Sequence, residues 1–318
     1  MKLVLGIVPA PPYPWYHVKV RSLLLSAYYI LNNQYQSFKL LQEFKQYNIN
    51  LVLDSGGYQV LNRMLNSEYV NIDKLKYNLI KMFSIVMNTL VKNDLEIDYV
   101  LQIDIPPKVI LDLKDDINYV MKLNFELYEI TCKICDENRI KVVPIIHAPY
   151  EYAFNYYIRY LHDIASDIIA LGGFVPYART RPHLAATWIE NLLDLIDCRR
   201  IHLLGLFMPN LLRKLRQLRD NRLIIIDYAG WRRAAALGLI LTPWGYRKIT
   251  DRGKRRNAPR PTEEELVYVQ SLCKYVGIDI NRVRRNFEDR AVFNIYAAMD
   301  LTGELARSLF YCVDDVNQ

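Results

Sequence analysis

Short apolar runs alternate along this chain with longer stretches whose apolar positions recur every three or four residues. The runs are "LVLGIV" (3–8), "SLLLSA" (22–27), "NLVLD" (50–54), "YVLQID" (99–104), "KVVPIIH" (141–147), "IIALGG" (168–173), "IHLLGL" (201–206) and "LIIID" (223–227). Short, apolar throughout and flanked by amphipathic segments, they predict buried parallel strands. Segments such as "SFKLLQEFKQY", "NYVMKLNFELYEITCKICDE" and "ATWIENLLDLI" predict the crossover helices. Eight strands with crossovers predict an α/β fold, a closed (β/α)8 TIM barrel, with a doubly wound open sheet as the alternative. No internal repeat or low-complexity tract breaks the pattern. After residue 248 the strand pattern stops, and helical patterns run from Thr262 to the end. The expected organisation is a barrel domain over 1–246 and a basic, helical C-terminal extension over 247–318.

Charge sharpens that boundary. The 318 residues carry a net +7, and residues 247–260, "RKITDRGKRRNAPR", hold seven Arg or Lys against one Asp. Six of the seven excess charges therefore fall in one segment, which points to a polyanion partner. The candidate contacts are Arg247, Lys248, Arg252, Lys254, Arg255, Arg256 and Arg260. A solvated charged loop is the plainer reading.

Composition excludes other classes. With 52% hydrophobic and 24% charged residues the chain reads as an ordinary globular protein. No apolar run is long enough for a bilayer, so no membrane role is expected. The start, "MKLVLGIVPAPPYP", is cut by prolines and reads as a first strand rather than a signal peptide. Five scattered cysteines suggest no disulfide framework, so a cytoplasmic location is expected. Cys132 and Cys135, in "CKIC", have no second CxxC nearby and read as reduced thiols on a helix.

The strand ends carry the chemistry. The third strand ends in Asp54, the fourth in Asp104, the fifth in His147 and the eighth in Asp227. The sixth ends in Gly172 and Gly173 with Phe174 beyond, the seventh in Gly205, Leu206 and Phe207. In a barrel, active sites form at the carboxyl ends of strands. One Asp there reads as a helix N-cap; three make a carboxylate site the better account. Asp54 and Asp227 would suit glycosyl transfer, one as nucleophile and the other handling a proton. Ser55, Gly56 and Gly57 beside them would let a flat ligand approach the backbone. Tyr58 and Phe207 could sandwich it, and Asp104 could accept from two donors on a guanine-like edge. The residues alone suit a sugar-phosphate isomerase site equally well.

At this point the sequence resembles a family. "LDSGGYQV" is similar to the DSGG[FY]Q signature of the tRNA-guanine transglycosylases. In the same order, "LQIDIPP" resembles their base-recognition strand, "VVPIIHAP" the strand that usually ends in Gln-Gly, and "IIALGGF" their GGL turn. "HLLGLFMP" and "IIIDYAGW" resemble the two last strands, the second bearing the nucleophile. The resemblance covers residues 1 to about 245. It implies exchange of a guanine in a polynucleotide for a 7-deazaguanine, with no nucleotide cofactor. It implies Asp227 as nucleophile at ribose C1′, Asp54 as general acid and base, and Tyr58 stacked on the base. Asp104 and the backbone of Gly173 and Phe174 would read the base edge.

The departures matter too. The family's CxCxxC…H zinc pattern has no counterpart; Cys273 and Cys312 stand far apart, so no zinc is expected. His147 stands where the family has Gln, and a basic segment where an RNA-binding domain would follow. Short, zinc-less sequences of this kind resemble the DpdA-like DNA-guanine transglycosylases, which place a 7-deazaguanine such as preQ0 in DNA. DNA is therefore the favoured partner and tRNA the alternative. A non-catalytic nucleic-acid-binding subunit is a third reading, disfavoured because a binder needs neither Asp54 nor Asp227. The oligomeric state stays open, with a homodimer among the alternatives.

Overall fold

The computed structural model describes residues 1–9, 13, 18, 22–57, 59, 60, 71–105, 116–217, 222–250 and 258–305. Among them the strands are β1 (Lys2–Ile7), β2 (Ser22–Ser26), β3 (Asn50–Asp54), β4 (Ile97–Leu101), β5 (Val142–Val143), β6 (Ile145–His147), β7 (Ile168–Gly172), β8 (Arg200–Leu203), β9 (Leu223–Tyr228), β10 (Leu239–Thr242) and β11 (Gly245–Lys248). The helices are α1 (Ala27–Asn32), α2 (Gln34–Gln46), α3 (Ile72–Lys92), α4 (Ile117–Asp136), α5 (Tyr150–Tyr156), α6 (Val175–Thr180), α7 (Pro182–Leu195), α8 (Pro209–Gln217), α9 (Gly230–Ala236), α10 (Glu263–Val276), α11 (Ile280–Arg285) and α12 (Phe287–Thr302). The protein is an α/β fold whose strands β1 to β9 pair in parallel within each compact unit, while β10 and β11 form an antiparallel hairpin. No helix among the described residues is long and apolar enough to cross a membrane.

The chain divides into two compact units. The larger comprises Gly6–Ala10 and Arg21–Leu204. Here β2, β3 and β4 pair in parallel, β5 continues from β4, and β6, β7 and β8 follow. The run expected as one strand over 141–147 is split by Pro144, which has no N–H to give a ladder. Its first half pairs with β4 and its second with β7. The Gln102 side chain accepts from Ile145 N–H at 2.9 Å, and the Pro144 carbonyl accepts from Ala170 N–H. The interrupted strand thus bridges its two neighbours, and spatial order follows chain order from β2 to β8. These strands are buried on both faces, as near-continuous apolar runs require. Asn71 and Asp116 cap α3 and α4 by accepting from Lys74 and Asn118 N–H.

The smaller unit comprises Met1–Leu5, Pro11–Val20 and Gly205–Gln318, so the expected boundary at 246 falls inside it. It pairs the first strand of the series with the last: β1 lies parallel to β9, with Val4 opposite Asp227. The β10–β11 hairpin was not expected from the sequence. Buried Asn294 of α12 fastens it, accepting from Leu241 N–H at 2.7 Å and donating to the Leu239 and Trp231 carbonyls. Arg290, also on α12, donates to the carbonyls of Ala235 and Val283.

Candidate active site

In the larger unit the site grows out of the turn after β3. Asp54 closes the strand, half-buried, and Ser55, Gly56 and Gly57 follow. Gly56 has φ +82°, and a Cβ there would sit 2.9 Å from Ser26 Oγ and Tyr28 N. A Cβ on Gly57 would lie 2.5 Å from the Asp104 carbonyl oxygen. The clearance these glycines provide is therefore taken up by the protein's own chain, and it brings Asp104 against the turn. Ser55, fully buried, donates to Asp104 Oδ1 at 3.0 Å, and Gly57 N–H reaches Ser55 Oγ at 3.4 Å.

Asp104 is 7% exposed and is fixed from behind by α4. Ile103 N–H donates to Thr131 Oγ1 and Ile105 N–H to Asn124 Oδ1, and Asn124 in turn donates to Tyr152 Oη. Burial raises the Tyr152 phenol well above its ordinary range, so it stays protonated. The second carboxylate oxygen, Asp104 Oδ2, lies 2.8 Å from His147 Nε2, close but without the alignment of a directed hydrogen bond. His147 ends β6 opposite Gly172 of β7. A Cβ on Gly172 would come within 3.1 Å of imidazole Cε1 and Nδ1, so the glycine lets the ring pack closely on the β7 backbone. The Nδ1 atom is buried and has no hydrogen-bond partner among the described residues. Ser55, Gly57, Asp104, His147, Gly172 and Gly173 thus come together, although β4 stops at Leu101 and Asp104, expected to close it, lies three residues beyond. Phe174 is fully buried at the start of α6.

The smaller unit holds Asp227, Leu206 and Phe207. Asp227, 7% exposed in β9, accepts from Gly205 N–H at 2.7 Å on its Oδ1. Gly205 has φ +66°, which suits glycine and aims its N–H at the carboxylate. Leu206 is fully buried. Phe207 stacks on Tyr228, centroids 4.3 Å apart and planes at 28°. Tyr246 Oη donates to Tyr228 Oη at 2.9 Å, and burial holds the Tyr228 phenol far above its usual pKa. Tyr228 and Tyr246 were not singled out from the sequence. The signal for Tyr228 was present, since it directly follows Asp227 in "IIIDYAGW".

Of the basic segment, Arg247, Lys248 and Arg260 are described; Arg252, Lys254, Arg255 and Arg256, like Tyr58, lie outside the described residues. Arg247 forks onto Glu265, Nε to Oε2 at 2.8 Å and Nη2 to Oε1 at 2.5 Å, with side chains 17% and 4% exposed. Its guanidinium is committed inside the protein, which leaves little of it for a polyanion. Lys248 N–H donates to the Pro259 carbonyl at 2.8 Å, drawing together the two ends of the basic stretch. Arg260 is exposed.

Cys132 and Cys135 lie on α4, and burial pushes both thiols up, Cys135 to about 12. Both are protonated at neutral pH, the form that neither attacks nor binds metal well. No group of three or more potential metal ligands occurs among the described residues. No protein-family model matches the chain, and no curated protein matches it.

Proposed function

We propose that this protein is a (β/α)8-barrel base-exchange transglycosylase, a pentosyltransferase that replaces guanine in a polynucleotide by a 7-deazaguanine such as preQ0. DNA is the favoured polymer, through the resemblance to the DNA-modifying branch, and tRNA the alternative. The barrel reading is supported by the chain-ordered parallel strands of the larger unit and by the β1–β9 pairing of the smaller. The observation that carries the function is Asp104. It is a buried carboxylate three residues past β4, with Oδ1 accepting from Ser55 and Oδ2 close to His147, and an ionised carboxylate has further lone pairs with which to accept from a ligand's donors.

In this reading Asp227 attacks ribose C1′ as the C1′–N9 bond breaks. The electron pair goes to N9 of the leaving guanine, and Asp54 delivers the proton. The incoming base then loses its N9 proton to Asp54 and attacks C1′, releasing Asp227. Two inversions return the original anomer. Asp104 accepts from N1–H and the 2-amino group of either base, and the His147 imidazole adds a polar contact at the same edge.

Nucleoside mass spectrometry of DNA and tRNA from cells expressing the chain tests the reaction. A 7-deazaguanine in DNA is the expected result, one in tRNA selects the alternative polymer, and its absence from both removes the proposal. The pocket has its own test. Guanine and preQ0 present two donors to Asp104, whereas hypoxanthine lacks the amino group and adenine lacks both the 2-amino group and N1–H. Losing one charge-assisted hydrogen bond costs about 1.5–3 kcal/mol, so calorimetry should show guanine roughly 10- to 150-fold tighter than hypoxanthine, with adenine weaker still. Equal affinity for adenine and guanine would remove Asp104 from the base edge.

A further inference from the structure

The larger unit carries aromatic surface that the base-exchange site does not use. Tyr150 opens α5 three residues past His147, and Tyr177 lies in α6 three residues past Phe174. Both therefore flank the strand ends of β6 and β7. Trp188 of α7 stands between them: its ring is 6.4 Å from Tyr150 with planes at 24°, and 5.0 Å from Tyr177 at 62°. Phe154, 40% exposed, extends the row beyond Tyr150 at 6.2 Å. Tyr150, Tyr177 and Trp188 are only half-buried. Four adjoining rings left partly in water are not explained by core packing. Residues 174–189, "FVPYARTRPHLAATWI", contain Arg179 and Arg181, both exposed, and no acid; exposed Glu151 follows Tyr150 on α5, and half-buried Glu190 lies two residues past Trp188.

We infer that this row is a stacking platform for unpaired bases of a single-stranded polynucleotide, with Arg179 and Arg181 on its phosphates. Aromatic rings interleaved with cations are what single strands require, because every base has a face to stack and every link a charge. Duplex DNA keeps its bases paired and stacked on one another, so the rings would have nothing to hold. The inference rests on the base-exchange reading for its polymer. It supplies what that reading lacks, a surface in the larger unit that holds the strand while one nucleotide is withdrawn from the stack.

The test uses the full-length protein, fluorescein-labelled oligothymidine and a duplex of mixed sequence, and reads binding without base exchange. Trp188→Ala should weaken single-strand binding about 5- to 150-fold and leave duplex binding near wild type. Oligothymidine should quench tryptophan fluorescence in the wild type. Trp188→Phe, which keeps a ring, should retain most affinity while losing that quench. Arg179→Ala with Arg181→Ala should lower the log–log salt slope on single strands by about 1.4. If Trp188→Ala melts early, Tyr177→Ala and the double arginine variant carry the test. Unchanged single-strand affinity in these variants overturns the inference and leaves the face to a protein partner. Equal losses on single strand and duplex overturn it as well. Wild-type protein that is quenched by oligothymidine but leaves no 7-deazaguanine in the nucleoside analysis would sink the base-exchange reading and leave the platform standing.

Discussion

Asp227→Asn is expected to abolish a covalent protein–polynucleotide adduct that survives denaturation and to lower base exchange on the order of 10⁶-fold, the scale for a lost nucleophile. The substitution is conservative where structure is concerned. Asp227 Oδ1 accepts from Gly205 N–H at 2.7 Å. An amide oxygen can accept the same bond, so the turn at Gly205 should keep its form. What the amide cannot do is supply an anionic oxygen to C1′. The expected variant is therefore folded, able to bind, and inert in the first chemical step. Asp54→Asn is expected to behave differently. Its role is proton transfer, whose loss costs about 10²–10⁴-fold, so a slow reaction should persist. An adduct in Asp227→Asn as abundant as in wild type would show that another residue attacks the sugar.

Both acids were visible in the sequence because each closes an apolar run, and a carboxylate there is out of place in a strand. The strands were visible for the same reason: "NLVLD" and "LIIID" can only be buried on both faces. Other features turn on contacts that no single run displays. Gly57 read as room for a ligand, yet its clearance is filled by the Asp104 carbonyl, which comes from the chain just past the neighbouring strand β4. His147 stood out as a lone imidazole at a strand end. Its approach to Asp104 depends on the register of β6 and on the Gly172 backbone behind the ring. The run 141–147 read as one strand; that Pro144 splits it, and that the two halves serve different neighbours, follows from pairing rather than composition. The β10–β11 hairpin escaped because Leu239–Thr242 is a short apolar run and its partner, Gly245–Lys248, is mostly polar. Its fastening by Asn294 comes from more than forty residues downstream.

Arg247 shows most sharply why a charge count is not a contact map, and it carries the largest expected effect on stability. It is one of seven cations between 247 and 260, yet its fork lies on Glu265, whose side chain is 4% exposed. Glu265 is also the third residue of α10, where it accepts from Thr262 N–H at 2.9 Å while Thr262 Oγ1 accepts from Glu265 N–H. One carboxylate thus closes the helix start and anchors strand β11 to it. Arg247→Ala would strip both donors of the fork from a buried charge, leaving it the Thr262 N–H. Breaking such a pair from one side costs about 3–5 kcal/mol. At about 2–4 °C per kcal/mol for a body of this size, the melting temperature should fall by roughly 6–20 °C. Removing both charges is expected to cost less, because no orphan remains: Arg247→Met with Glu265→Leu should recover most of the loss, short of the capping contribution. A solvent-facing phosphate ligand would behave the opposite way. Its loss would leave melting unchanged and lower the log–log salt slope of DNA binding by about 0.9. Thermal melting of the single and double variants, read beside a salt titration of Arg247→Ala on DNA, separates the two roles: a melting temperature held within about 2 °C of wild type would remove the structural assignment.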